Sequence, residues 1–150
     1  MFEFADEVVR RAGESELTAL IECDPFAQAD ESRRNALNTW LLQGVVLVAQ
    51  VQGEVVGLLV LEHGLFGHGF IPLICVKPSA RRRRHALRLI RAAEAECRTP
   101  KLFTSANASN TQAQALLARA GFVRSGTIEN LDAGDPELVY FKPVVSEDGG

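Results

Sequence analysis

Apolar and polar positions change period along this chain, and each change marks an element. Val8 to Arg10 reads as a short strand, followed by a helix over Glu14 to Cys23 that Pro25 closes. Ala36, Leu37, Trp40 and Leu41 recur at helical spacing. A second helix is therefore expected over Glu31 to Leu42, with Gly44 stopping it. Val45 to Val51 and Val55 to Glu62 are then β-rich and flank a Gln52-Gly53 turn, which predicts a hairpin. Both runs are apolar on successive residues, the pattern of strands covered on both faces.

His63 to Gly69 reads as a glycine-rich turn, and Phe70 to Val76 as the next strand, ended by Lys77-Pro78. Arg83 to Arg98 follows as a helix. Its buried stripe is expected to be Ala86, Leu89, Ile90, Ala93 and Cys97. Lys101 to Ala106 is a strand. Asn110 to Ala120 is a helix with stripe Ala113, Leu116, Leu117 and Ala120, capped by Gly121. Val123 to Glu129 and Leu138 to Phe141 are two last strands around an acidic loop. A hairpin that feeds a strand-helix-strand unit predicts an α/β domain with a mixed sheet and helices on both faces.

The length of 150 residues suits one domain, expected over residues 1–145 with a frayed acidic tail over 146–150. Hydrophobic residues are 47% and charged residues 23% of the chain, which argues for a packed globule over disorder. Cys23, Cys75 and Cys97 are odd in number and irregular in spacing. They favour neither a disulfide framework nor a zinc site, so no metal and a reducing compartment are expected. The sequence near Met1 is acidic where a signal peptide would be basic, and no apolar run is long enough to span a membrane. A cytoplasmic protein with no membrane partner is expected. The net charge of −3 makes nucleic acid an unexpected partner.

One local feature opposes that average. Ile74-Cys75-Val76-Lys77-Pro78 runs into Arg81, Arg82, Arg83 and Arg84, then into the helix that begins near His85. Free N–H groups at a helix start carry partial positive charge and suit a phosphate or pyrophosphate. Guanidiniums at its mouth can grip phosphate oxygens in bidentate fashion. Arginines there oppose the helix dipole, an arrangement that an expected anion would justify. The plainer reading is a solvated basic turn.

These residues resemble the GNAT superfamily of acetyl-CoA-dependent N-acyltransferases. That family shows V-x-P-x-x-[RQ]-x-x-G-x-[GA] at a strand-to-helix turn, and Val76, Pro78, Arg81 and Ala86 fill the pattern. It also shows N-x-x-A-x-x-L-[Y]-x-x-x-G-F, filled by Asn110, Ala113, Leu116, Gly121 and Phe122. The element order agrees from Val8 to Phe141. The resemblance implies a mostly antiparallel sheet with one splayed parallel pair. It implies acyl transfer from acetyl-CoA, as co-substrate, to a primary amine of a small molecule or peptide. Pyrophosphate would rest on the turn that includes Arg82, Arg83, Arg84, His85, Ala86 and Leu87. Pantetheine would run beside Ile74, Cys75 and Val76, and the Val76 N–H would donate to the thioester oxygen. Asn110 would steady the pantetheine arm, cap its helix, or do both. Pairing as a homodimer is a further expectation.

Three positions depart from the pattern. Arg84 stands where the family has its first turn glycine, Leu117 where many members have a tyrosine acid, and Ser105 where some have a glutamate base. Ser105 and Asn107 share one strand face and could hold an ordered water near the thioester; loop hydrogen bonding is the alternative for Asn107 and Ser109. Tyr140, the only tyrosine, reads as a packed strand aromatic. His63 and His68 read as surface turn residues, His85 as a phosphate neighbour, and Cys75 as a small hydrophobe. In the acidic loop, Glu129, Asp132 and Asp135 are expected to attract a cationic acceptor; a simple solvated turn is the alternative. A coenzyme A-binding sensor or interaction module with little catalysis is the competing function. An RNA-binding module is disfavoured by the acidic charge and the absence of interleaved aromatics.

Overall fold

Strand β2 (Glu7–Arg11) pairs antiparallel with β1 (Phe2–Phe4), a strand additional to those expected, and with β3 (Val46–Val51). The computed structural model describes residues 2–4, 6–81 and 84–144. Arg82, Arg83 and the tail expected over 146–150 lie outside the described residues. Two compact units are formed, one from Met1–Leu61 with Leu73–Ala95, the other from Glu62–Pro72 with Glu96–Gly150. Strands β4 (Glu54–Leu65) and β5 (His68–Val76) run from one into the other.

In the first unit, β3 and β4 are joined by Gln52-Gly53, both at positive φ (49° and 84°), the backbone a tight hairpin turn requires. Val55 to Leu61 are buried on consecutive positions, as the unbroken apolar run predicts. The alternation of side chains explains this. Val46, Val48, Leu58 and Val60 pack with Leu20, Ala27, Leu37 and Leu41 from helices α1 (Leu17–Cys23), α2 (Pro25–Ala29) and α3 (Glu31–Leu42). The opposite face meets α4 (His85–Glu96): a Cβ built on Gly57 would lie 3.4 Å from Leu89 Cδ1.

Helix α3 has the expected bounds. Pro25, expected to close a helix, instead opens α2, because its missing N–H costs nothing at a first helical position. Asp24 caps that start by accepting from the Phe26 N–H at 3.2 Å. Helix α1 begins only at Leu17, since the Glu16 side chain is engaged by the Gly13 N–H (2.8 Å) and by Arg10.

In the second unit, the β4–β5 turn narrows to Phe66 and Gly67, at φ 52° and 80°. His63 and His68 therefore lie on strands, not in the seven-residue turn read from the sequence. His63 Nε2 accepts from the Arg98 N–H at 3.0 Å, and His68 rests against Phe103. Strand β5 pairs parallel with β6 (Lys101–Asn107) over Gly69–Ile71 against Leu102–Thr104, whereas β1–β2, β2–β3, β3–β4 and the pairs that β8 makes are antiparallel. That ladder stops at Pro72, which has no N–H to give. Strand β6 then pairs with β8 (Glu137–Pro143) along all seven of its residues, and β7 (Val123–Ile128) forms the edge. Helix α5 (Thr111–Arg119) buries Leu117, and Ala120 and Phe122 are buried after it; Gly121 supplies the positive φ (96°) that ends the helix. Among the described residues, no helix is long and apolar enough to cross a membrane.

Candidate functional site

At the C-terminal end of β5, the hydrogen-bond direction of each peptide can be worked out. The Lys77 N–H donates to the Val56 carbonyl at 2.8 Å, and the Cys75 carbonyl faces β4 closely enough to lie 3.0 Å from a Cβ built on Gly57. Adjacent peptides of a strand point to opposite edges. The Val76 N–H and carbonyl therefore face away from β4. Arg81 agrees with this geometry: its Nε donates to the Val76 carbonyl at 3.3 Å. Sequence alone casts Arg81 as a phosphate grip; the fold also gives it the carbonyl of Val76, one peptide on from the candidate oxyanion donor.

Beyond Val76 the chain makes a short 3-10 turn, Pro78–Ala80, and enters α4. The first intrahelical bond runs from the Arg88 N–H to the Arg84 carbonyl at 3.1 Å. The N–H groups of His85, Ala86 and Leu87 thus have no acceptor within the helix. Arg84 is the cap residue, it is exposed, and its φ is +66°. A guanidinium cannot accept a hydrogen bond, so this helix start lacks the usual side-chain oxygen. Among the described residues these three N–H groups have no acceptor, and with a cationic cap they fit an anionic phosphate.

His85 does not face solvent as a phosphate neighbour. It is 7% exposed, and its Nδ1 meets Glu7 Oε2. Glu7, 2% exposed on β2, also accepts from Arg88 Nη1 at 2.8 Å. The His85 Nδ1 is thus taken by Glu7. Glu7 is a residue that the motif reading misses; its one signal is that it shares the buried face of β2 with Val9.

Ile74, Cys75 and Val76 are each half-buried. The Cys75 side chain packs against the α1–α3 core, and burial pushes its thiol up to about 12. A thiol so held is no nucleophile near neutral pH. Cys23, in the same core, is raised to about 11, again by burial first.

The second unit holds the remaining expected residues. Asn110 caps α5, its Oδ1 accepting from the Ala113 N–H at 3.1 Å. Asn107 uses its amide to hold the acidic loop, donating to Asp132 Oδ2 at 2.9 Å and to the Asp135 carbonyl at 3.3 Å. Asp135 in turn accepts from the Ser109 N–H and hydroxyl. Loop anchoring is therefore the geometry found for Asn107 and Ser109. Ser105 is half-buried opposite Val139 on β8, and Glu129 is exposed. Leu117 is a core residue at 3% exposure. Tyr140 is buried at 6%, with the Arg124 guanidinium 5.9 Å from its ring centre. Among the described residues, no group of three or more His, Cys, Asp or Glu could hold a metal ion.

Comparison with known proteins identifies the family. The Acetyltransferase (GNAT) family matches residues 15–122. The GNAT-family acetyltransferase of Bacillus cereus ATCC 10987 is 31% identical, covers 93% of this chain and 99% of its own, and superposes with a TM-score of 0.87. The ribosomal-protein-alanine N-acetyltransferase of Brucella melitensis is 22% identical over 91% and 99% of the two chains, with a TM-score of 0.75. The yncA protein of Salmonella typhimurium, solved with its cofactor acetyl-CoA, is 15% identical over 95% of each chain, also at 0.75. No curated protein matches the chain. The strand-to-helix turn after Val76, the parallel β5–β6 pair and these likenesses lead to one conclusion: the chain belongs to the GNAT family of acetyltransferases.

Proposed function

We propose that the protein transfers the acetyl group of acetyl-CoA to a primary amine of a small molecule or peptide. The observation that carries this reading is the left-handed Arg84 at the head of α4, in the position where the family pattern has glycine. It leaves the N–H groups of His85, Ala86 and Leu87 open to the coenzyme pyrophosphate, with Arg81 and Arg84 adding positive charge. Ile74, Cys75 and Val76 line the pantetheine arm, and Asn110 assists from its cap. Acetyl-CoA supplies the activated acyl group. The Val76 N–H meets the thioester oxygen as negative charge grows there, a contribution of about 2.7–4 kcal/mol for one such donor. The orientation of this peptide away from β4 supports that role.

Proton transfer is assigned to ordered water, with Ser105 as a candidate to hold it. Leu117 offers no phenol. Alanine at Ser105 or Asn107 should then lower kcat by far less than the roughly 10²–10⁴-fold of a true general acid or base. Loss of turnover in Tyr140→Phe with cofactor affinity intact would make Tyr140 the acid instead. The acidic loop, through Glu129, Asp132 and Asp135, favours acceptors with a second cationic group.

The competing reading is a coenzyme A-binding sensor. The apolar Leu117 in the acid position favours it. Calorimetry with acetyl-CoA and a thiol-release assay over an amine panel separate the two. Binding with turnover supports the enzyme, binding alone the sensor, and no heat at millimolar acetyl-CoA removes both.

A further inference from the structure

Glu7 lies 78 residues before His85 in the chain, yet its carboxylate closes the first turn of α4. One oxygen meets His85 Nδ1 and the other accepts from Arg88 Nη1 at 2.8 Å. His85 and Arg88 are three apart, so both project from one face of the helix. Together they bracket the turn whose N–H groups have no acceptor among the described residues. Immediately before them stands Arg84 at φ +66°, a conformation that strains a residue with a Cβ. Such a conformation persists where its surroundings over-determine it. Glu7 and His85 are 2% and 7% exposed, so their contact is shielded from water. Arg88 also neutralises the carboxylate, which would otherwise repel an anion at the same helix start.

We propose that Glu7 is a positioning residue for coenzyme binding. It holds the first turn of α4 so that Arg84 stays left-handed and the N–H groups of His85 to Leu87 converge on one phosphate. The proposal rests on the coenzyme site assigned above. Glu7 touches no substrate; it acts through His85 and Arg88.

The test measures coenzyme A affinity by calorimetry, steady-state kinetics and thermal unfolding on the full chain. Wild type must bind coenzyme A; if it does not, the site assignment itself fails. Given wild-type binding, Glu7→Gln should weaken affinity by about tenfold or more, the size of a lost charge-assisted hydrogen bond. At saturating acetyl-CoA, kcat should change less than about twofold, because only uniform binding is lost. In an Arg84→Gly background, Glu7→Gln should cost less than about twofold in affinity, since glycine adopts the left-handed turn without help. Arg88→Gln, at a partly exposed position, should weaken binding in the same direction and serves if Glu7→Gln does not fold. A purely structural Glu7 would lower the melting temperature while the folded variant bound coenzyme A as tightly as wild type. That outcome, or an equal loss of affinity from Glu7→Gln in the wild-type and Arg84→Gly backgrounds, overturns the proposal.

Discussion

Ser109 gives both of its donors to the carboxylate of Asp135, the N–H at 2.9 Å to Oδ1 and the hydroxyl at 2.6 Å to Oδ2. Asp135 is therefore a staple of the β7–β8 loop as well as one of its charges. Asp132, held by Asn107, is a second staple. Substituting either one mixes loop geometry with charge. Glu129 is exposed at the head of the loop, which makes Glu129→Gln the cleaner probe. If the loop reads charge, wild type should prefer a diamine to a monoamine of equal length, and Glu129→Gln should reduce that preference with little change in melting temperature. Asp135→Ala should lower stability by about 1–2 kcal/mol as well. Equal kcat/KM for the two amines in wild type would remove the electrostatic role.

Arg84→Gly tests the backbone of the coenzyme turn. Relief of a left-handed arginine should raise stability by about 1 kcal/mol, a rise of roughly 2–4 °C at this chain length. Coenzyme affinity should fall at low salt, where the lost guanidinium counts most, and approach that of wild type at high salt. Arg84→Val should do the reverse, because a β-branched residue is poorly tolerated at positive φ. A melting temperature that ranks valine above glycine would contradict the turn geometry.

Gly57→Ala tests the strand end that carries Val76. Its Cβ would come 3.0 Å from the Cys75 carbonyl and 3.2 Å from Val76 Cγ2. A backbone oxygen yields less than a side-chain tip, so β5 must shift. Overpacking of this kind costs about 1–3 kcal/mol. The expected result is a fall in kcat larger than the loss of stability explains at the assay temperature. Unchanged kcat would separate Val76 from the chemistry.

Cys75 should prove dispensable. With its thiol near 12, it should resist alkylation by iodoacetamide at pH 8, and Cys75→Ser should retain most of the turnover. Initial-rate patterns should be sequential. Ping-pong kinetics that vanish in Cys75→Ser would make the cysteine an acyl carrier.

Arg10 and Glu16 set an acid limit on stability. Their guanidinium and carboxylate meet at 2.7 and 2.9 Å, and this hydrogen bonding is the main reason that Glu16 is lowered from 4.5 to about 2. A depressed carboxyl stabilises the folded state above its unfolded value and loses that contribution as pH falls. The pair should therefore add about 0.5–1 kcal/mol near neutrality, declining between pH 4.5 and about 2. Urea unfolding of wild type and Glu16→Gln across that range should converge at the acid end.

Periodicity alone determined most of the elements, because each depends on neighbours three, four or two residues away. The α3 stripe, the unbroken apolar runs of β3 and β4, and the cap pair Asn110 and Gly121 are all local signals. The strand-to-helix turn after Val76 was legible for the same reason: proline, clustered arginines and an apolar stripe adjoin in the chain. What tertiary structure decided were contacts between distant segments. Nothing near His85 says that its ring turns from solvent to Glu7, since that partner sits on β2 and is brought there by strand pairing. Asn107 and Asp132 likewise read as separate polar residues until the β6–β8 ladder brings Asn107 opposite Glu137 beside the loop. The left-handed Arg84 is the sharpest case. An arginine has no intrinsic preference for positive φ, so its residue type does not announce the conformation that the family pattern meets with glycine.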